Sequence, residues 1–245
     1  MFLEEARVSD ESDRVSQKPS FTVGFGDLSA LMARMTGDEK HSEAATSTID
    51  ALWVLYDRIL QVDPAMRPDR DRFFLSKGHG PQAYYAVLCA KGFFEPELFD
   101  MFGAFDSPLG YHPDRMLIPG VEISSGSLGH GLPLGVGAAL GLRALGHTGS
   151  SVWVMLGDGE FDEGSNHEAV AYASRAGLDR LNVVLVDNHS STQGWPGGVE
   201  TRFAAEGWAT ERVDGRDHDA LEKAFLAAHP GRPSLVVADV GLANG

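Results

Sequence analysis

The chain has 245 residues, 43% hydrophobic and 22% charged, enough for one substantial hydrophobic core or one domain with a tail. Its 20 Lys and Arg face 35 Asp and Glu, a formal charge of −15, which excludes a basic nucleic-acid surface; a phosphate-bearing ligand has to be recruited through a metal and backbone amides. A single cysteine, Cys89, excludes an internal disulfide framework and a multi-cysteine metal site, and with no membrane-length apolar run and no basic-then-apolar leader the expectation is a cytoplasmic enzyme.

In chain order, residues 1–25 are charged and polar around Asp10-Glu11-Ser12-Asp13-Arg14 and read as a loose arm, so the folded domain is expected over 26–245. From Phe25 apolar residues recur at spacings of three and four, first Leu28, Leu31, Met32 and Met35, then Ile49, Leu52, Trp53, Leu55 and Tyr56 after His41, which predicts helices. Pro64 and Pro68 break the chain before Phe73-Phe74-Leu75, an apolar run ending in Ser76-Lys77-Gly78-His79-Gly80. A helix from Gln82 to Ala90 follows, with Cys89 as a packing residue. Met101 to Val121 is loop-like, with Pro108, Pro113 and Pro119, and contains Tyr111-His112-Pro113. Ser124-Ser125-Gly126-Ser127-Leu128-Gly129-His130-Gly131 leads into a helix with Gly135, Gly137, Ala138 and Ala139. Its small residues permit close approach of another backbone, so it is expected either deeply buried or at an interface.

Two apolar runs, Val152 to Leu156 and Leu181 to Val186, flank a helix-compatible stretch and read as a βαβ unit with parallel strands. Gly157-Asp158-Gly159 and Asp187-Asn188 then share the C-terminal edge of one sheet, where ligands bind in open α/β folds, and Asp158 and Asn188 can point into one crevice. A glycine-flanked turn lets phosphates approach backbone amides, yet an unpaired aspartate would repel them; a divalent cation such as magnesium removes the conflict. Asp158, the Asn188 side-chain oxygen and a nearby backbone carbonyl suit such a cation. An ordinary strand-to-loop turn with Asn188 as turn former explains the two clusters equally well at this point. The turn is not a Gly-x-Gly-x-x-Gly fingerprint, because Glu160 and Phe161 follow without a third glycine. Thr192 to Gly198 forms a loop, Ala209 to Val213 alternates and ends at Asp214-Gly215, and a helix from Ala220 to Ala228 with a strand from Leu235 to Val240 makes another βαβ-like unit. The class is α/β, a mostly parallel sheet flanked by helices.

Taken together, these clusters resemble the N-terminal half of transketolase, the thiamine diphosphate enzyme that moves two-carbon ketol units. His41 with Ser47-Thr48-Ile49-Asp50 resembles the family's Gly-His segment and its Ser-x-x-Asp, and Leu75-Ser76-Lys77-Gly78-His79-Gly80 its Leu-Ser-x-Gly-His-Gly. His112-Pro113 is similar to the His-Pro loop, Gly120-Val121-Glu122 and Gly126 to Gly131 to the Pro-Gly-Val-Glu and Gly-x-Leu-Gly-Gln-Gly pair, and Gly157-Asp158-Gly159 through Asn188 to the diphosphate motif. The resemblance implies a magnesium ion, or calcium or manganese, on the Asp158 and Asn188 side chains and the Ser190 backbone oxygen. Gly157, Gly159 and His79 would lie at the diphosphate, and Gly126, Ser127 and Leu128 would line the cofactor's bed. It implies substrate contact and proton movement at His41 and His112, and places Glu163 and Glu168 at a dimer interface between paired active sites. Among the catalytic residues it counts His41, His79, His112 and Glu163, the last also on the cofactor's side.

Ser165-Asn166-His167-Glu168 also reads as a capping box, and two residues five apart on a helix are about 140° out of line, so spacing alone does not pair Glu163 with Glu168. There are departures: His130 stands where glutamine is usual, Arg216 where histidine or asparagine is common, and Glu43 and Ala44 replace glycines near His41. The family's basic, glycine-rich segment after the last strand and its histidine near the thiamine have no counterpart in Val240 to Gly245. The resemblance therefore implies a split enzyme. A separate C-terminal subunit with a pyrimidine domain supplies the activating glutamate and aromatic pocket, in a heterotetramer of two copies of each chain acting on ketose and aldose substrates. A subunit of a 2-oxo acid dehydrogenase or decarboxylase shares the diphosphate motif, but the His79 and His112 contexts favour transketolase; retention of these residues speaks against a non-catalytic scaffold subunit.

Overall fold

Runs rich in Val, Leu and Phe pair into a wholly parallel five-stranded sheet. In the computed structural model, which describes residues 23–36, 42–191 and 193–241, the strands are β1 (Arg72–Leu75), β2 (Val152–Gly157), β3 (Leu181–Asp187), β4 (Ala209–Asp214) and β5 (Ser234–Asp239), in the spatial order β1-β2-β3-β5-β4. Residues 1–22 of the expected arm and His41 lie outside the described residues, while Val23 and Phe25 pack against the hydrophobic core.

Strand alternation sends successive side chains to opposite layers. Phe73, Leu75, Trp153, Met155, Val184, Val186, Val236 and Ala238 enter one core, and Phe74, Val152, Val154, Leu156, Val183, Leu185, Leu235 and Val237 enter the other. Both faces are covered, which is why β2 is buried from end to end and reads as a continuous apolar run instead of an alternating one. The helices are α1 (Leu28–Met32), α2 (Ser42–Ser47), α3 (Ile49–Val54), α4 (Gln82–Ala90), α5 (Gly131–Ala144), α6 (Gly164–Arg175), α7 (Glu200–Ala205) and α8 (His218–Leu226). Residues of α1, α3, α4 and α8 fill the first core and those of α5, α6 and α7 the second. The chain steps from β2 to β3 through α6 and steps back from β4 to β5 through α8, so right-handed crossovers put these helices on opposite faces.

Several element boundaries differ from expectation for local reasons. The helix after α2 continues past Val54 as a π-helical turn, Leu55–Ile59. The helix expected from Ala220 starts at His218, because the Asp217 carboxylate accepts from the amides of Asp219 and Ala220, both at 3.0 Å. In α5 the small residues divide by face. A Cβ on Gly135 would lie 2.5 Å from Val154 Cγ2, so this glycine lets the helix close onto β2, while Gly137 and Gly141 face open space.

One irregular segment has a decided path because α4 holds it. Eight of the nine α4 residues are buried; the Tyr85 hydroxyl donates to the Gly110 carbonyl at 2.9 Å and the Tyr84 hydroxyl to the Gly120 carbonyl at 3.3 Å. Ile118 is buried between these anchors, and Leu109 and Val121 are buried just outside them. The proline-rich loop carrying His112 is thus hung from the core at both ends.

Candidate functional site at the C-terminal edge of the sheet

Strand β1 is followed by Ser76 and Lys77, whose amides both donate to the Met155 carbonyl, at 3.0 and 3.3 Å. Next to it β2 ends in the Gly157-Asp158 turn, and the Asp158 amide reaches the Val186 carbonyl of β3 at 3.2 Å. The chain then reverses at His189, which takes a left-handed φ of 58°, its amide donating to Asp187 Oδ1 at 3.2 Å. This turn aims Ser190 and Ser191 back at Asp158. The Asp158 carboxylate is 6% exposed; Oδ1 accepts from the Ser190 hydroxyl and Oδ2 from the Ser191 amide, both at 2.8 Å. Asp158 and the Asn188–Ser191 segment, far apart in sequence, are therefore neighbours, with Asn188 half-buried beside them.

The loop of residues 124–131 closes the site from the other side. Gly78 packs against Ser125 and the Gly126 amide, and the His112 ring lies over Gly126, where a Cβ would be 3.1 Å from the ring's Cδ2. At Gly129, φ is +83° and a Cβ would come within 2.6 Å of the Glu163 Cβ, so this position demands glycine. The carbonyl of Gly129 accepts from the Ser165 hydroxyl at 2.6 Å.

Beneath these loops Glu160 is 2% exposed. Its Oε1 accepts from the Ser76 hydroxyl at 2.5 Å and the Gly129 amide at 3.0 Å, and its Oε2 from the Gly157 amide at 3.3 Å. The Ser76 oxygen in turn accepts from the Gly131 amide at 2.9 Å. Burial pushes the Glu160 carboxyl above its usual range, against the pull of these donors and of Lys77. Lys77 is 5% exposed, and burial lowers its ammonium to about 8, while Glu160 and Asp158 act in the opposite sense.

The other expected site residues fall into two groups. His79 is half-buried, Leu128 half-buried and Ser127 exposed, all on these converging loops; His112 is exposed apart from its contact with Gly126. Glu163 and Glu168 are both exposed, Glu163 as the N-cap of α6 and Glu168 in its second turn. The capping-box reading of Ser165 and Glu168 is corrected: α6 begins at Gly164, one residue before Ser165, and the Ser165 hydroxyl is spent on Gly129. His130 is exposed at the N-cap of α5. Arg216 has a structural partner, donating to Asp50 Oδ2 at 2.6 Å while His218 Nε2 lies 2.9 Å from Oδ1 of the same buried carboxylate.

A second acidic cluster, not foreseen from the sequence, occupies the same edge further along. Asp187 and Asp239 are register partners on β3 and β5, and with His189 they present ligand-type atoms within 4.8 Å of one another. Arg212 of β4 already serves it, donating to Asp187 Oδ2 at 2.9 Å and Asp239 Oδ2 at 2.7 Å, and to both Glu200 oxygens at 2.9 and 2.8 Å. Its sequence signal was an aspartate closing each strand, but only the β3-β5 adjacency makes them neighbours.

The Asp158 carboxylate, the Asn188 side-chain oxygen and the Ser190 main-chain carbonyl are hard oxygens of the kind that could hold a magnesium ion, and among the described residues Asp158 accepts from a hydroxyl and a backbone amide. The glycines of the Gly126 loop and the Gly157 turn leave main chain that a diphosphate could approach. Fold and site define a three-layer α/β domain with glycine-rich loops converging at the carboxyl ends of β1, β2 and β3.

Comparison with known proteins makes this specific. Residues 31–243 match the transketolase, thiamine diphosphate binding domain family, and the chain belongs to it. Over 94% of its length the chain is 53% identical to a Rhodococcoides fascians protein named ferredoxin fas2, covering 76% of that protein. It is 33% identical to the 6-deoxy-6-sulfo-D-fructose transketolase subunit of a Clostridium species, over 80% of this chain and 75% of the relative. Transketolase from Leishmania mexicana shares the fold, with a TM-score of 0.73 at 24% identity over 89% of this chain; the chain spans 37% of that one. No helix of the described residues is long and apolar enough to cross a membrane.

Proposed function

We propose that this chain is the diphosphate-binding subunit of a two-component transketolase, transferring a two-carbon ketol unit from a ketose donor to an aldehyde acceptor together with a separate pyrimidine-domain subunit. The observation that carries the reading is the meeting of Asp158 with the Asn188–Ser191 segment on the edge that also bears His79, Gly126 and His112. Asp158, Asn188 and the Ser190 carbonyl hold magnesium, with calcium or manganese as substitutes. Gly157, Gly159 and His79 meet the diphosphate, and Gly126, Ser127 and Leu128 form the bed beneath the cofactor. When bound, thiamine diphosphate would supply the nucleophilic carbon and electron sink that ketol transfer needs. His112, and His41 from outside the described residues, hold substrate oxygens and move protons at them. Glu163, exposed at the N-cap of α6, faces the second copy.

The partner subunit supplies the glutamate that activates the cofactor and the pocket for its pyrimidine ring, in an assembly of two copies of each chain. Phe105, Met116 and Leu117, exposed apolar side chains on the loop that carries His112, suit a surface that a partner covers. The setting is cytoplasmic, with Cys89 a buried, reduced thiol whose pKa burial pushes up to about 12. An iron–sulfur role does not fit, because such clusters take about four cysteine ligands and these residues contain one.

Mixing this chain with a pyrimidine-domain subunit, magnesium and thiamine diphosphate should give ketol transfer from a ketose donor, and Asp158→Ala should abolish it. Full activity of this chain alone would refute the split enzyme. Turnover of pyruvate with none of a ketose would replace transketolase by a 2-oxo acid enzyme.

A further inference from the structure

Lys77 and Glu160 are opposite charges enclosed beneath the crevice, 5% and 2% exposed. The Lys77 stem runs along the diphosphate turn, its Cδ 3.3 Å from where a Cβ on Gly157 would stand. Three donors meet the Glu160 carboxylate, each from a different wall of the site: the Ser76 hydroxyl at the end of β1, the Gly129 amide of the cofactor-bed loop, and the Gly157 amide of the diphosphate turn. Ser76 extends the network to the Gly131 amide, and the Asn166 side-chain amide donates to the Glu160 carbonyl at 2.8 Å. Two buried charges that act on each other through space are a poor device for stability alone, since apolar side chains of similar volume do as well or better. What the carboxylate offers is acceptor capacity without any donor. A glutamine would turn an NH2 toward one of these three donors and lose that contact.

We propose that Glu160, charge-balanced by Lys77, is a positioning residue for the cofactor's diphosphate, tying the end of β1, the 126–131 loop and the Gly157 turn together at the separation the bound diphosphate requires. This rests on the thiamine diphosphate reading above. Without the tie the walls have to be ordered at the moment of binding, so the loss falls on cofactor affinity beyond its effect on folding.

The test is calorimetric titration of thiamine diphosphate into the complex of this chain and its partner subunit in saturating magnesium, with thermal unfolding of each cofactor-free form. Glu160→Gln should weaken cofactor binding by about tenfold or more, the scale of one lost charge-assisted hydrogen bond. Lys77→Met should lower the melting temperature by leaving Glu160 buried and unbalanced. The double variant should regain melting temperature but not cofactor affinity, because the tie is still absent. Recovery of both in the double variant, or affinity within about twofold of wild type in Glu160→Gln, would overturn the proposal. If Glu160→Gln does not fold, Ser76→Ala removes a single donor to the same carboxylate, and it should weaken binding while unchanged affinity there would equally overturn the idea. No binding by the wild-type complex would overturn the thiamine diphosphate reading itself, and this inference with it.

Discussion

The sheet carries two acidic clusters on one edge, and they are chemically different. At β3 and β5, Asp187 and Asp239 share the Arg212 guanidinium, which also holds both oxygens of Glu200, so the negative charge is answered inside the fold. At β2, Asp158 receives hydrogen bonds from a hydroxyl and a backbone amide. Both clusters have oxygens suited to a hard cation, but only at Asp158 can a cation bind without displacing a guanidinium already in place. An acidic cluster is therefore read by its counterions before its ligand geometry. By that criterion Asp187 and Asp239 belong to a structural brace, and Asp158 is the acid proposed to take a cation.

The sharpest way to break the comparison is Asp158→Ala, which should remove magnesium-dependent thiamine diphosphate binding altogether in calorimetry with the partner subunit; retained binding would return the turn to an ordinary loop. Arg212→Met should do the reverse, costing about 2–3 kcal/mol in urea unfolding by stripping several charge-assisted hydrogen bonds at a part-exposed site, and leaving cofactor binding intact. A pH series sharpens this. Arg212 holds the Glu200 carboxyl below its ordinary value of 4.5, so the stabilisation is complete above that value and is lost as pH falls through the depressed one; the variant should lack this acid-side loss. Gly129→Ala should cost about 1–3 kcal/mol, from its positive φ and the collision with Glu163, and should weaken cofactor binding as the bed loop shifts. Ser190→Ala should matter least. The role assigned to Ser190 is its main-chain carbonyl, so losing the hydroxyl bond to Asp158 should change metal-dependent binding by no more than about fivefold, and a larger loss would move the ligand to the side chain.

Most of the central sheet was legible because parallel strands covered on both faces announce themselves as continuous apolar runs. Val152 to Leu156 and Leu181 to Val186 fell within one residue of β2 and β3, and Gln82 to Ala90 matched α4. The start of α8 was missed because Asp217 reads as one more acidic residue until its carboxylate is seen on two amides. The capping box failed for the opposite reason: Ser165 has the right type and spacing, but the Gly129 carbonyl from another segment claims its hydroxyl. A local pattern gives way when tertiary packing brings a better partner. The Arg212 brace and the Glu160 network were invisible for a related reason, since their members are joined only by strand adjacency and loop closure.

The sequence by itself determined the class of fold, the shared edge of Asp158 and Asn188, and the candidate residues around them, because periodicity and turn chemistry are local properties that survive as a string of letters. Only the tertiary structure decided that Arg212 answers both Asp187 and Asp239, that His112 lies on Gly126, and that Glu160 gathers donors from three separate segments. These are facts about distance between remote residues, set by the packing of helices on both faces of the sheet.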